Sequence, residues 1–121
     1  MKVFVYGTLK RGYGNNILLA GSQFLEERVL PGYKLYNAGF PVAAPDENSS
    51  IKGEVFDIAE EDVNRTLYHL DRLEGEGWMY NRMVVDDVSL YVGHPKAWSF
   101  DRMSECHNVD GVYEWARNTN Y

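Results

Sequence analysis

Hydrophobic positions in this chain fall mostly into short runs, and one stretch alone carries a helical period. The opening run Val3–Tyr6 (VFVY) is continuously apolar and reads as a buried strand. It leads into Gly7 and a polar, basic loop ending at Gly12. Asn15–Ala20 (NNILLA) reads as a helical turn capped by Asn15 or Asn16. Ser22–Leu30 reads as a strand that stops at the turn pair Pro31-Gly32. Tyr33–Tyr36 is a short strand and Asn37–Gly39 a turn. Phe40–Ala44 is extended, with Pro41 pointing to a sheet edge. The polar stretch Pro45–Ser50 is expected as an exposed loop. Ile51–Ile58 (IKGEVFDI) alternates Ile51, Gly53 and Val55 with Lys52 and Glu54, the pattern of a strand.

Glu60–Glu74 is the helix. Val63, Leu67, Leu70 and Leu73 recur at spacings of 4, 3 and 3 and form one apolar stripe. Glu60, Glu61 and Asp62 suit the positive end of the helix dipole, and Gly75 and Gly77 stop the element. Tyr80–Val85 and Val88–Val92 read as a hairpin around Asp86-Asp87. Lys96–Phe100 is expected as a further strand, and the tail Asp110–Arg117 as a strand or a helix. Many short strands with one helix predict an α+β fold, a small mixed or antiparallel sheet curled into a barrel with flanking helices. The 121 residues predict a single domain over 1–121.

Charge narrows the partners. Twelve basic against 18 acidic residues give a net charge of −6. That excludes nucleic acid and anionic membranes as main partners, since both need a positive surface. Nine tyrosines and three tryptophans suit a β-rich core and a pocket with aromatic walls. Cys106 is the only cysteine, so no internal disulfide forms, which fits a reducing compartment. The chain opens on a strand instead of a basic and apolar leader, and no apolar run approaches the ~20 residues that cross a bilayer. A cytoplasmic protein is expected.

Gly7–Gly12 has GxxxxG spacing, but Tyr13 and Gly14 stand where a phosphate-binding loop needs Lys and Ser or Thr. Gly12-Tyr13-Gly14 lacks the third glycine of a dinucleotide fingerprint, with Ile17 in its place. Read from spacing alone, the loop is a tight turn with two surface bases, Lys10 and Arg11. It is also a strand-to-glycine loop, where backbone N–H groups are left unpaired by the sheet and meet anions or carbonyl oxygens. His69, His94 and His107 form no metal-binding spacing, so no metal or cofactor is expected. Cys106 reads as a small buried residue, with a nucleophilic role as the alternative. Glu74 ends the helix at its negative pole, where an acid is disfavoured. Dipole and burial among Leu73, Trp78 and Tyr80 would raise its proton affinity, as a general acid/base requires. A frayed helix end would instead leave it a plain solvated acid.

Taken together these stretches resemble the γ-glutamylcyclotransferase-like family, most closely its small members, the γ-glutamylamine cyclotransferases and their bacterial relatives. Tyr6–Gly12 (YGTLKRG) is similar to the family's opening signature. Gly53-Glu54-Val55-Phe56 resembles its central strand. Leu70-Asp71 with Glu74-Gly75 resembles its L-D-x-x-E-G segment, and Tyr80-Asn81-Arg82 the Y-x-R that follows. Phe40-Pro41 is a weaker match. The resemblance covers about the first 85 residues in patches and fades beyond Lys96.

The resemblance implies an enzyme that closes a γ-glutamyl amide on itself, giving 5-oxoproline and a free amine. Glu74 would carry protons as general acid/base, with Glu76 as the alternative if that residue faces the pocket. Gly7, Thr8 and Leu9 would supply N–H groups to the substrate, and Tyr6, Tyr80 and Arg82 would orient it, Arg82 being equally suited to a surface ion pair. The partner is then a small-molecule γ-glutamyl substrate. The rival reading is a catalytically inactive domain of the same fold that binds a small molecule or a protein. A serine-hydrolase arrangement finds no Ser-His-Asp pattern here.

Overall fold

The computed structural model describes residues 1–116. Arg117, the last residue of the expected tail element, lies outside them. Eight strands form one mixed sheet: β1 (Lys2–Val5), β2 (Gln23–Asn37), β3 (Pro41–Asp57), β4 (Tyr80–Val85), β5 (Val88–Gly93), β6 (Ser104–Glu105), β7 (Asn108–Val109) and β8 (Val112–Tyr113). One α-helix, α1 (Val63–Glu74), packs against it. The order is β4-β5-β1-β3-β2-β6, with β8 beside β3 and β7 beside β8. β1 pairs antiparallel to β3 and parallel to β5. The sheet curls into a half-barrel, an α+β fold.

Apolar alternation decides which face each side chain takes. In the first strand and just beyond it, Phe4 and Tyr6 join the inner core with Leu30, Leu35, Ile51 and Val55. Val3 and Val5 point the other way, into a second core with Leu19, Phe56, Ile58 and Leu70 of the helix. A strand buried on both faces has no polar positions, which is why VFVY is continuously apolar.

The middle of the chain departs from expectation. Pro31-Gly32 does not turn the chain, and β2 and β3 run as one long antiparallel ribbon from Gln23↔Asp57 to Asn37↔Pro41. The pairing jumps from Pro31↔Ser50 to Tyr33↔Pro45. Asp46–Ser49 therefore bulge out opposite Gly32, whose φ of +96° suits a glycine. The expected loop Pro45–Ser50 is thus a wide bulge inside a strand, its polarity explained by exposure and by Lys34 bonding Asp46 at 3.3 Å. Pro41 is the first residue of β3 and pairs there only with Asn37 of β2; β1 joins β3 farther along, at Glu54–Asp57, so Pro41 stands on a locally open side of the strand, where a missing N–H costs little.

Lys96–Phe100 is not a strand. A turn closes there, Ala97 N–H donating to His94 O (2.9 Å), and a 3₁₀ turn follows at Phe100–Arg102. Trp98 and Phe100 reach the outer core without joining a ladder. The expected helix splits into a 3₁₀ turn, Glu60–Asp62, and α1. In the tail, Asp110 and Gly111 take positive φ at the turn between β7 and β8, and β8 lies parallel to β3 where β1 ends.

Candidate active site

A cavity of about 350 Å³ opens where the loop after β1, the turn before β3, the end of α1 and the entry to β4 meet. Tyr6, Gly7, Thr8, Leu9, Glu74 and Tyr80 all line it. Phe40, Pro41, Leu73 and Tyr91 complete most of the wall.

The loop presents one kind of backbone group. Gly7 O accepts from Lys10 N–H (3.0 Å), Thr8 O from Asn15 N–H (3.1 Å) and Leu9 O from Asn16 Nδ2 (2.8 Å). Asn15 Nδ2 also donates to Thr8 Oγ1 (2.8 Å). The carbonyls are thereby used, while the N–H groups of Gly7, Thr8 and Leu9 meet no acceptor among the described residues. Such a row of free amides suits an anion or a developing oxyanion. Gly7 is needed for space: a Cβ there would sit 2.7 Å from Pro41 Cγ.

The far end of the loop is anchored, and of the two expected surface bases only Arg11 is exposed. Lys10 is buried, and its Nζ donates to Trp115 O at 2.6 Å. Burial lowers its pKa. Arg11 N–H donates to Glu54 Oε1 (2.8 Å), and its guanidinium bonds Glu54 Oε2 (3.3 Å) while lying 3.5 Å over the Phe24 ring. The Gly-Glu strand segment thus holds the loop through a buried carboxylate.

Glu74 is the last residue of α1, and Gly75 caps the helix. Gly75 takes φ 64°, ψ 51°, its N–H donates to Arg72 O and the Glu76 N–H to Asp71 O. This left-handed cap reverses the chain. It leaves Glu74 half-buried in the cavity with no salt bridge or hydrogen-bond donor among the described residues. Burial raises its pKa from the ordinary 4.5 to about 7. The burial does not come from Trp78, which is exposed. Glu76 lies outside the cavity wall, exposed, its carboxylate accepting the Arg82 N–H at 3.3 Å.

The aromatic walls are tied down. Tyr6 Oη donates to Tyr91 O (2.6 Å), and Tyr80 Oη donates to Pro41 O (2.9 Å). Burial and the nearby Glu74 charge keep both phenols protonated, their pKa values raised. Arg82 does not line the cavity. Its guanidinium grips Asp71 at 3.0 and 3.3 Å, and Asp71 accepts the Tyr91 hydroxyl at 2.6 Å. Arg82 therefore reaches the cavity only through Asp71 and Tyr91.

Tyr91, Asn15, Leu73 and Met79 also line the wall and were not expected there. Leu73 belongs to the helical stripe, and its place beside Glu74 was the available signal. Tyr91 sits in a mostly apolar strand, where its hydroxyl and that of Ser89 are the polar marks. Cys106 lies in the inner core with Phe4 and Tyr6 and does not itself line the cavity, and burial raises its thiol to about 11. Among the described residues no group of three or more His, Cys, Asp or Glu could hold a metal ion. No described helix is long and apolar enough to cross a membrane.

A half-barrel whose cavity sets a lone carboxylate across from free backbone amides defines a class of small-molecule site. The family model for gamma-glutamyl cyclotransferase, AIG2-like, matches residues 3–114, and the chain belongs to that family. It is 36% identical over 86 residues to the gamma-glutamylcyclotransferase family protein YtfP of Escherichia coli K12, covering 70% of this chain and 72% of that one. The solution structure of ytfP from Escherichia coli superposes with a TM-score of 0.69 and 28% identity, covering 95% and 96% of the two chains. The crystal structure of an AIG2-like protein from Mus musculus shares the fold, with a TM-score of 0.68, 22% identity and coverage of 98% and 97%.

Proposed function

We propose that this chain is a cyclotransferase that converts a γ-glutamyl amide into 5-oxoproline and a free amine, with Glu74 as its general acid/base. The observation that carries the reading is the shared cavity: the Glu74 carboxyl, with pKa about 7, and the N–H groups of Gly7, Thr8 and Leu9, none of them with a partner among the described residues. The Glu74 carboxylate takes a proton from the substrate α-ammonium. The α-nitrogen attacks the γ-carbonyl carbon, and the oxyanion rests on the loop amides, each such donor worth ~3 kcal/mol of barrier. The amide C–N bond then breaks as Glu74 returns a proton to the leaving nitrogen. The ammonium sheds two protons in becoming a lactam N–H, and the leaving nitrogen gains two in becoming an ammonium. One carboxyl working twice balances the reaction, and no water is consumed. Holding amine and carbonyl together supplies the entropic advantage, so no protein nucleophile is needed.

Tyr6 and Tyr80 act as fixed walls, and Arg82 as an indirect support through Asp71. The cytoplasmic location expected from composition belongs to the same proposal. Incubation with a set of γ-glutamyl amides should release 5-oxoproline, with kcat/KM rising through about pH 7 as Glu74 ionises. Glu74→Gln should lower kcat by roughly 10²–10⁴-fold. Undiminished turnover by that variant would remove Glu74 from the mechanism, and no turnover of any amide by the parent protein would leave a binding domain.

A further inference from the structure

The loop that carries the free amides also carries a buried charge that the proposed chemistry does not use. Lys10 is 7% exposed, and among the described residues its Nζ donates to one acceptor, the Trp115 carbonyl, at 2.6 Å. Resting on the function proposed above, we infer that Lys10 is a positioning residue. By tying the loop after β1 to the tail at Trp115, it sets the Gly7, Thr8 and Leu9 N–H groups towards the reacting carbonyl, and the tail becomes part of the framework of the active site.

Stability alone does not account for an ammonium at this place. Taking one out of water is costly unless an opposite charge sits beside it. Glu54 and Glu114, whose charges reach Lys10, pair instead with Arg11 and Lys52, at 3.3 and 3.8 Å. The Tyr13 ring, 5.3 Å from Nζ, adds a weak contact. A methionine would fill similar space with no charge to bury. A local rule broken inside a functional loop points to a role in that loop.

The tie also acts at the right point. Lys10 N–H closes the turn on Gly7 O at 3.0 Å, and Lys10 O accepts the Tyr13 N–H at 3.1 Å, so residue 10 fixes where the turn ends. Its side chain reaches Trp115, which packs against the inner core. The tail is fixed to the sheet without help from the loop. β8 pairs with β3 through Ser50↔Val112 and Ile51↔Tyr113, and Tyr113 Oη donates to Glu105 Oε1 at 2.6 Å. Arg11 ties the same loop to β3 through Glu54. Without the Lys10 bond the turn keeps its own hydrogen bonds but can tilt about the Arg11 anchor. The amides would then leave the positions an oxyanion requires, where donors must lie within hydrogen-bond distance.

Lys10→Met removes the ammonium and keeps the bulk. In the folded variant, kcat/KM for 5-oxoproline release should fall by roughly 10–10²-fold. The backbone amide NMR resonances of Gly7, Thr8 and Leu9 should shift while those of residues 63–67, at the start of α1, stay in place. Trp115→Ala keeps the carbonyl but releases the ring that seats it, and should move both readouts the same way by less. Arg28→Met cuts another long-range tie, from Arg28 to Asp87 at 2.7 Å, and should move neither. Parental kcat/KM or unmoved loop resonances in Lys10→Met overturn the inference, as does an equal response to Arg28→Met, and the cyclotransferase reading then still stands. If Lys10→Met does not fold, parental values in Trp115→Ala overturn the inference instead. No 5-oxoproline from the parent protein with any γ-glutamyl amide overturns both.

Discussion

Replacing Glu74 by Gln should stabilise the protein while destroying its activity, and the two effects should share one pH window. In the unfolded chain the carboxyl ionises near 4.5, and in the fold near 7. Between those values the folded state holds a proton that the unfolded state has lost, so stability falls as pH rises. One pKa unit corresponds to about 1.4 kcal/mol, so the full displacement is worth roughly 3 kcal/mol above pH 7. Glutamine keeps the shape and has no proton to lose. Urea denaturation of both proteins from pH 4 to pH 9 gives the difference in unfolding free energy, with the other titrating groups common to both curves. The variant's advantage should be smallest near pH 4, grow through the window, and level off above pH 7 at up to about 3 kcal/mol. Parallel curves would refute the claim that this carboxyl is desolvated in the fold. A difference that shrinks as pH rises would mean that a cation stabilises the carboxylate.

Two further outcomes follow from the surrounding wall. Asp71→Ala and Tyr91→Phe remove the same hydroxyl contact from opposite sides, and each should lower kcat/KM by a similar factor. If Asp71 acts by holding Tyr91, the double variant is no worse than either single one, whereas full additivity would separate them. Gly7→Ala puts a Cβ 2.7 Å from Pro41 Cγ, so thermal unfolding should show a loss of about 1–3 kcal/mol and the shifted loop should raise KM. A variant with parental stability would show that Pro41 yields.

Local patterning was enough for β1, α1 and the β4–β5 hairpin. Each is set by its own residues: an apolar run bounded by glycine, a stripe at helical spacing, and strands around Asp86, whose φ is positive at 54°. The long β2–β3 ribbon was not legible, because Pro31-Gly32 and Pro45–Ser50 carry turn and loop composition, and the strands run through them only because Pro31 meets Ser50 and Tyr33 meets Pro45 across the ribbon. Trp98 and Phe100 likewise mimic a strand while serving a turn. The same division runs through the site. That Glu74 stands at a helix end and Gly7 behind a strand is written in the sequence. That Arg82 serves Asp71, that Glu54 anchors the loop, and that Leu73 and Phe40 flank one opening was decided only when distant segments packed together. Periodicity reports which side of an element is buried. Which charged group meets which, and which carboxyl is left dry and alone, depends on contacts between residues far apart in the chain, and those exist only in the folded molecule.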